Sequence, residues 1–80
     1  GVASATLAQL GALLERAMDA GVITRHDTMH AAAAVWATCH GLVSLELKSG
    51  APPTMDWDEV YRIACDAMID GFAAGVRAVM

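Results

Sequence analysis

Residues 27–48, with the sequence DTMHAAAAVWATCHGLVSLELK, decide the fold of this 80-residue chain. Alanine is frequent here, β-branched residues are sparse, and no Asp, Glu, Lys or Arg occurs from Thr28 to Leu45. The Asp27 carboxylate can accept the amide hydrogens of a first helical turn, and Lys48 suits the negative end of a helix. The stretch therefore predicts one long helix that begins after Asp27 and ends near Lys48.

This predicted helix carries two apolar stripes, whereas a surface helix of a monomer needs only one. The first stripe consists of Met29, Ala33, Trp36, His40, Val43 and Leu47, and the second of Ala31, Val35, Thr38, Leu42 and Leu45. The helix is not expected to span a membrane, because its histidines, serine and many alanines make its transfer into lipid unfavourable. We expect a helix that is buried on most sides by protein.

Two more helices flank this one. The first is expected to begin near Ser4 or Thr6 and to end where Gly21 adopts a left-handed backbone conformation. The last follows a breaker at residues 49–53, Ser-Gly-Ala-Pro-Pro, and is capped by Thr54 or Asp56 before it runs close to the C-terminus. The sequence therefore predicts an all-α fold with three helices.

The last helix combines a polar stripe with a surface of small residues. The polar stripe consists of Glu59, Arg62, Asp66, Asp70 and Arg77, and the small surface includes Ala64, Ala67, Gly71, Ala74 and Gly75. Each glycine costs about 1 kcal/mol of helix stability relative to alanine. That cost predicts a close approach of another backbone to this surface.

The composition predicts a chain that buries apolar surface against a partner. Hydrophobic residues make up 56% of the sequence and charged residues 18%, and the net charge is −4. We therefore expect residues 1–80 to form a single partial domain, either a fragment of a larger protein or an obligate oligomer. The five basic residues are dispersed, which argues against direct binding to nucleic acid. Cys39 and Cys65 match no metal motif or disulfide framework, so a reducing, cytoplasmic location is expected.

The histidines are the main candidates for chemistry. His26 and His30 have a spacing that can hold zinc, but His26 precedes the predicted helix, so we expect no metal site. His40 is interpreted either as a core histidine with a hydrogen-bonding partner or as a polar anchor in the wall of a small-molecule pocket. No catalytic arrangement of Ser, Cys, His and Asp is evident, so neither enzyme activity nor a cofactor is expected.

Residues 35–47, VWATCHGLVSLEL, resemble the Trp-xxx-His-Gly-xxx-Leu-Glu signature in the C-terminal domain of many TetR-type, or tetracycline-repressor-like, transcriptional regulators. The three predicted helices resemble the closing helices of that domain over nearly the whole chain. The N-terminal helix-turn-helix of the family has no counterpart in these residues. The resemblance therefore implies that DNA is contacted only through an N-terminal domain that is absent from this chain.

The resemblance implies a homodimer in which the last two helices and their copies form a four-helix bundle. The residues expected at this interface are Val35, Thr38, Leu42, Leu45, Ala64, Ala67, Gly71, Ala74 and Gly75. It also implies a pocket for a small apolar or amphipathic effector. The residues expected on the pocket side are Leu14, Met18, Met29, Trp36, His40 and Val43. The alternative is a helical homodimerisation module that acts alone and binds no small ligand.

Overall fold

The fold is known from a computed structural model, which describes the backbone of residues 1–48 and 52–79 and the side chains of residues 1, 4–48 and 52–76. It contains α1 (Val2–Asp19), α2 (Thr28–Lys48) and α3 (Trp57–Val79), and the described residues form no strand. This confirms the predicted all-α fold. Residues 49–51 of the predicted breaker, and the side chain of Arg77 in the polar stripe, lie outside the described part.

The helix ends follow from the capping residues. Asp27 Oδ1 accepts the His30 amide hydrogen at 2.9 Å, and Asp56 Oδ1 accepts that of Glu59 at 3.2 Å, so Asp56 rather than Thr54 caps α3. After α1, Gly21 has φ 75°, and the amide groups of residues 21 and 22 donate to the carbonyls of residues 18 and 17. This pattern is a Schellman motif, as the glycine predicted. The start of α1 was predicted too late, because the helix begins at Val2 with Gly1 as an N-cap that has no side chain.

A polar cluster fastens the segment between α1 and α2 to α1. Arg25 forms ion pairs with Glu15, at 3.1 Å, and with Asp19. The Thr28 hydroxyl also donates a hydrogen bond to the Glu15 carboxylate. Beneath this cluster Met18 is 5% exposed, and its sulfur accepts the backbone amide hydrogen of His26. These contacts fix α1 against the start of α2.

Helices α2 and α3 run antiparallel and are joined near both ends. Near the end of α2, the Tyr61 hydroxyl donates to Glu46 Oε1 at 2.8 Å. Near the other end, the backbone amide of Thr24 donates to the Phe72 carbonyl at 2.6 Å. The Gly75 amide in turn donates to Thr24 Oγ1 at 3.0 Å. The segment before α2 therefore forms hydrogen bonds with the C-terminal half of α3 as well as polar contacts with α1.

The three helices form a thin layer with very little core. The molecule measures 42 × 37 × 14 Å, and its radius of gyration of 14.6 Å exceeds the value of about 12 Å expected for a compact domain of this length. Among the described residues, the buried hydrophobic side chains are Met18, Ala31 and Ala32. One layer of helices leaves two broad faces without a covering layer.

Candidate functional site

An open cavity of about 550 Å³ lies between α1 and α2. Its lining residues are Leu7, Ala33, Trp36, Ala37, His40, Gly41 and Ser44. We call this the α1–α2 cavity. Apolar side chains form most of its wall, and the Trp36 indole, the His40 imidazole and the Ser44 hydroxyl add hydrogen-bonding groups. Such a wall suits a small molecule that is largely apolar and carries a few polar atoms.

The structure brings together two of the six residues predicted for the pocket. Trp36 and His40 both line the α1–α2 cavity, whereas the other four lie elsewhere. Met18 belongs to the core, and Leu14 is half-buried outside the cavity lining. Met29 and Val43 are each 46% exposed, and the Met29 sulfur lies beside Gly11 instead of in the cavity.

His40 is exposed, so the interpretation of this residue as a buried core histidine is wrong. Its place in the wall of the α1–α2 cavity agrees with the alternative of a polar anchor. The other five lining residues were not predicted for the pocket: Leu7, Ala33, Ala37, Gly41 and Ser44. A usable signal was present, because Ala33, Ala37, Gly41 and Ser44 follow one another at three- and four-residue spacing beside the Trp36 stripe.

A second cavity, of about 360 Å³, lies between α2 and α3. Its lining residues are His26, His30, Ala31, Ala34, Ala67, Met68, Gly71 and Phe72. We call this the α2–α3 cavity. Ala67 and Gly71, which were predicted to face a second subunit, thus line a space between two helices of the same chain.

The other residues predicted for the dimer interface differ in exposure. Val35, Thr38 and Leu42 on α2 are half-buried, as is Ala64 on α3, while Leu45 and Ala74 are exposed. Gly75 is closely approached by the Thr24 side chain of the same chain, and not by a second helix backbone as its small size was taken to predict. A Cβ atom built on Gly75 falls 2.5 Å from Thr24 Oγ1, whereas one built on Gly71 meets nothing within 4 Å.

Large apolar side chains remain exposed on all three helices. Examples are Leu13 at 59%, Leu45 at 66%, Leu47 at 78%, Ile63 at 61% and Ile69 at 60%. The accessible surface is 5649 Å², about 1,000 Å² more than a compact monomer of this mass exposes. A stable protein–protein interface removes about 800 Å² from each partner. The excess is therefore of the size that association with a partner would bury.

Polar contacts outside the two cavity linings shift the pKa of Glu15 and of Tyr61. Hydrogen bonds from Thr28 and then Arg25 lower the pKa of Glu15 below its ordinary value of 4.5. The hydrogen bond to the Glu46 carboxylate raises the pKa of Tyr61 above 10.0. Both shifts favour the protonation state that the contact requires at neutral pH. Within the described residues, no group of three or more His, Cys, Asp or Glu side chains is arranged to hold a metal ion.

A thin layer of helices, an apolar cavity beside Trp36 and His40, and a large exposed apolar surface together characterise a small all-α domain. The chain belongs to the tetracyclin repressor-like C-terminal domain family, whose model matches residues 1–68. This confirms the family resemblance noted in the sequence. No curated protein and no solved structure matches the chain significantly.

Membership of this family implies dimerisation and effector binding in general, and a regulatory role in a TetR-type regulator. Regulatory domains of the family are typically not enzymes. No helix among the described residues is long and apolar enough to cross a membrane.

Proposed function

We propose that this chain is the C-terminal ligand-binding and dimerisation segment of a TetR-family transcriptional regulator. In the full-length parent it couples the binding of a small apolar or amphipathic effector to release from DNA, which is contacted by a part of the regulator outside residues 1–80. The observation that carries the proposal is the family match over residues 1–68, together with the placement of Trp36 and His40 in one cavity.

The α1–α2 cavity is the proposed effector site. Its volume of about 550 Å³ lies within the range of about 300–1,000 Å³ that is usual for small-molecule pockets. Trp36 supplies a large apolar surface, and the exposed His40 imidazole offers one donor or acceptor to a polar atom of the effector. In the parent, the open side of the cavity is covered by the preceding regulatory helices.

The proposed dimer forms through α2 and α3 and their copies in a second subunit, as a four-helix bundle. The exposed Leu45 and Ile63 on these helices would be buried in such a bundle. The surface excess of about 1,000 Å² is sufficient for a stable interface. The thin layer supports this arrangement, because a second layer of helices supplies the core that one chain lacks.

Effector binding acts in this proposal by shifting the population between two arrangements of the dimer. An effector that prefers one arrangement of α1 and α2 shifts the population toward that arrangement, to an extent set by its difference in affinity for the two states. This shift changes the separation of the two DNA-reading domains. The segment at residues 20–27 contacts both α1 and α3, so it links the proposed effector site to the proposed dimer helices.

Dimerisation is tested by sedimentation equilibrium of the chain and of two matched variants. Leu45→Asp on α2 is expected to give monomers, because it places a charge in the bundle. Leu13→Asp alters a side chain of similar exposure on α1, outside the proposed interface, and should leave the dimer intact. The four-helix bundle would be refuted if the wild-type chain is still monomeric at about 100 μM. It would also be refuted if the two variants behave alike.

Effector binding is tested by thermal-shift titration with a panel of medium-chain fatty acids and aromatic amphiphiles. Gly41→Leu should block the α1–α2 cavity, because Gly41 lines it and a Cβ there meets nothing within 4 Å. A shift that is seen with the wild type and lost in Gly41→Leu supports the effector site. A chain that dimerises and shows no shift with any compound is instead a dimerisation module without a ligand.

A further inference from the structure

The α2–α3 cavity shares no lining residue with the α1–α2 cavity, and the proposed function does not say what fills it. It is open to the surface, because five of its eight lining residues are exposed. Ala34 on α2 and Ala67 and Gly71 on α3 are among the exposed ones, and none of them has a side chain beyond Cβ. The two helices therefore leave about 360 Å³ of largely apolar space between them.

Two large apolar side chains lie on the same side of these helices as the mouth of the cavity. Leu45 is eleven residues after Ala34, which is about three helical turns, and Ile63 is four residues before Ala67. Each side chain therefore shares one side of its helix with an exposed alanine of the cavity. Both side chains are more than half exposed. We call Leu45 and Ile63 the knob residues.

The knob residues lie together at one end of the α2–α3 pair. The Tyr61 hydroxyl donates to Glu46 Oε1 at 2.8 Å, which holds the start of α3 beside the end of α2. Leu45 precedes Glu46, and Ile63 is two residues after Tyr61. The cavity lies toward the other end, since Ala34 is about 16 Å from Leu45 along α2. One face thus carries both a cavity and apolar side chains that could fill one.

A two-fold dimer is the association that fits such a face. The two subunits of a two-fold interface use the same patch, so a cavity can receive residues of the second copy only if both features share that patch. This face meets the condition, and the two insertions are then reciprocal. Removal of one leucine from a protein core can leave about 150 Å³ of empty space, so the cavity has room for two side chains of that size.

The exposure of the wall favours a partner helix over a small ligand. Small-molecule pockets enclose about 70–90% of the ligand surface, which a mostly exposed wall does not do. A side chain on a second helix is covered by the helix that carries it. The surface excess of about 1,000 Å² also exceeds the 800 Å² or so that each partner buries in a stable dimer.

We propose that the α2–α3 cavity of each subunit is filled by Leu45 and Ile63 of a second copy of this chain. This inference rests on the proposed dimer and adds the residues that meet across it. The four-helix bundle requires only that α2 and α3 pack against their copies, whereas the inference pairs a particular cavity with particular side chains. The two can therefore fail separately.

The first test shortens the knob residues and measures the dimer Kd of the whole 80-residue chain by sedimentation equilibrium over a dilution series. Leu45→Ala and Ile63→Ala should each raise the Kd about tenfold, because each removes a side chain that is buried at the centre of the interface. Leu13→Ala is the matched control. Leu13 has a similar exposure but lies on α1, so its Kd should stay within about twofold of the wild type.

The second test fills the cavity from each of its two helices. Ala34→Leu on α2 and Ala67→Leu on α3 should each raise the Kd about tenfold, because the new side chain occupies the space of a knob residue. Leucine has nearly the helix propensity of alanine, so these variants keep their helices. Ala12→Leu is the matched control, since it makes the same change at an exposed alanine of α1 outside both cavities.

A double variant shows whether the cavity and the knob residues meet. If Leu45 occupies the cavity of the second copy, its truncation costs little once Ala34→Leu has filled that cavity. The Kd of the double variant should then lie well below the value obtained by multiplying the two single effects. Effects that multiply in full would overturn the contact between Leu45 and the cavity.

The outcomes separate this inference from the proposed dimer. A dimer whose Kd is unchanged or lowered by both Ala34→Leu and Ala67→Leu overturns the inference and leaves the four-helix bundle standing. In that case something other than a second copy covers the cavity. A wild-type chain that stays monomeric throughout the dilution series overturns both.

Discussion

The two glycines near the end of α3 have opposite environments, and substitution by alanine should therefore change stability in opposite directions. Alanine at either position gains about 1 kcal/mol of helix propensity. At Gly71 a Cβ meets nothing within 4 Å, so Gly71→Ala should stabilise the chain by about 0.5–1 kcal/mol. At Gly75 a Cβ would lie 2.5, 2.9 and 3.2 Å from Thr24 Oγ1, Cγ2 and Cβ.

Thr24 cannot withdraw from an added Cβ at Gly75 without loss. Its side chain is short, its amide is bonded to the Phe72 carbonyl, and its hydroxyl accepts the Gly75 amide hydrogen. Overpacking costs about 1–3 kcal/mol, and the displaced hydrogen bond about 1 kcal/mol more. After the gain in helix propensity, Gly75→Ala should destabilise the chain by about 1–3 kcal/mol.

The assay is urea unfolding followed by circular dichroism, with all variants at the same protein concentration because a dimer unfolds in a concentration-dependent way. Gly71→Ala should have the higher midpoint and Gly75→Ala the lower. In a Thr24→Ala background the penalty of Gly75→Ala should shrink, because the two nearest atoms are gone. Equal stability of the two glycine variants, or a penalty unaffected by Thr24→Ala, would refute the reasoning.

Three more predictions concern charge, capping and the cavity. Because Thr28 lowers the pKa of Glu15 in the folded chain, the stability contributed by this carboxylate is complete above about pH 4.5 and is lost as the pH falls through the lowered pKa. Glu15→Gln should therefore flatten the fall in melting temperature between about pH 5 and pH 3, and an unchanged slope would contradict this. Asp27→Ala removes the cap of α2 and should cost about 1 kcal/mol in urea unfolding, whereas Asp27→Asn should cost much less. Trp36→Ala should reduce any ligand-induced thermal shift that is also lost in Gly41→Leu. The mass of Trp36→Ala measured by sedimentation should equal that of the wild type. A change in that mass would instead show that Trp36 takes part in association.

The helices were predictable because their signals are local. An N-cap carboxylate at Asp27 or Asp56, and a left-handed glycine at Gly21, act within one turn of the chain. The start of α1 was less predictable, because Gly1 supplies no side-chain signal.

The candidate site was predictable only in part, because a stripe of residues indicates a face but not what lies opposite it. Trp36 and His40 line one cavity because they are four residues apart on one helix, but their role as effector residues stays a prediction. The family resemblance assigned Met18 and Met29 to the same pocket, yet Met18 lies in the core and the Met29 sulfur lies beside Gly11. Sequence patterns contain no information about which residues of α1 and α2 face each other.

The sequence by itself determined three capped helices, a family, and an apolar surface too large for one small domain to bury, because propensity, capping and composition are properties of the chain alone. Only the tertiary structure decided the two functions of the small residues on α3. Gly75 is small because Thr24, 51 residues away in sequence, packs on its backbone, whereas Gly71 borders an open cavity. The two glycines look alike in the sequence, and the difference between them arises from neighbours that only the fold brings into contact.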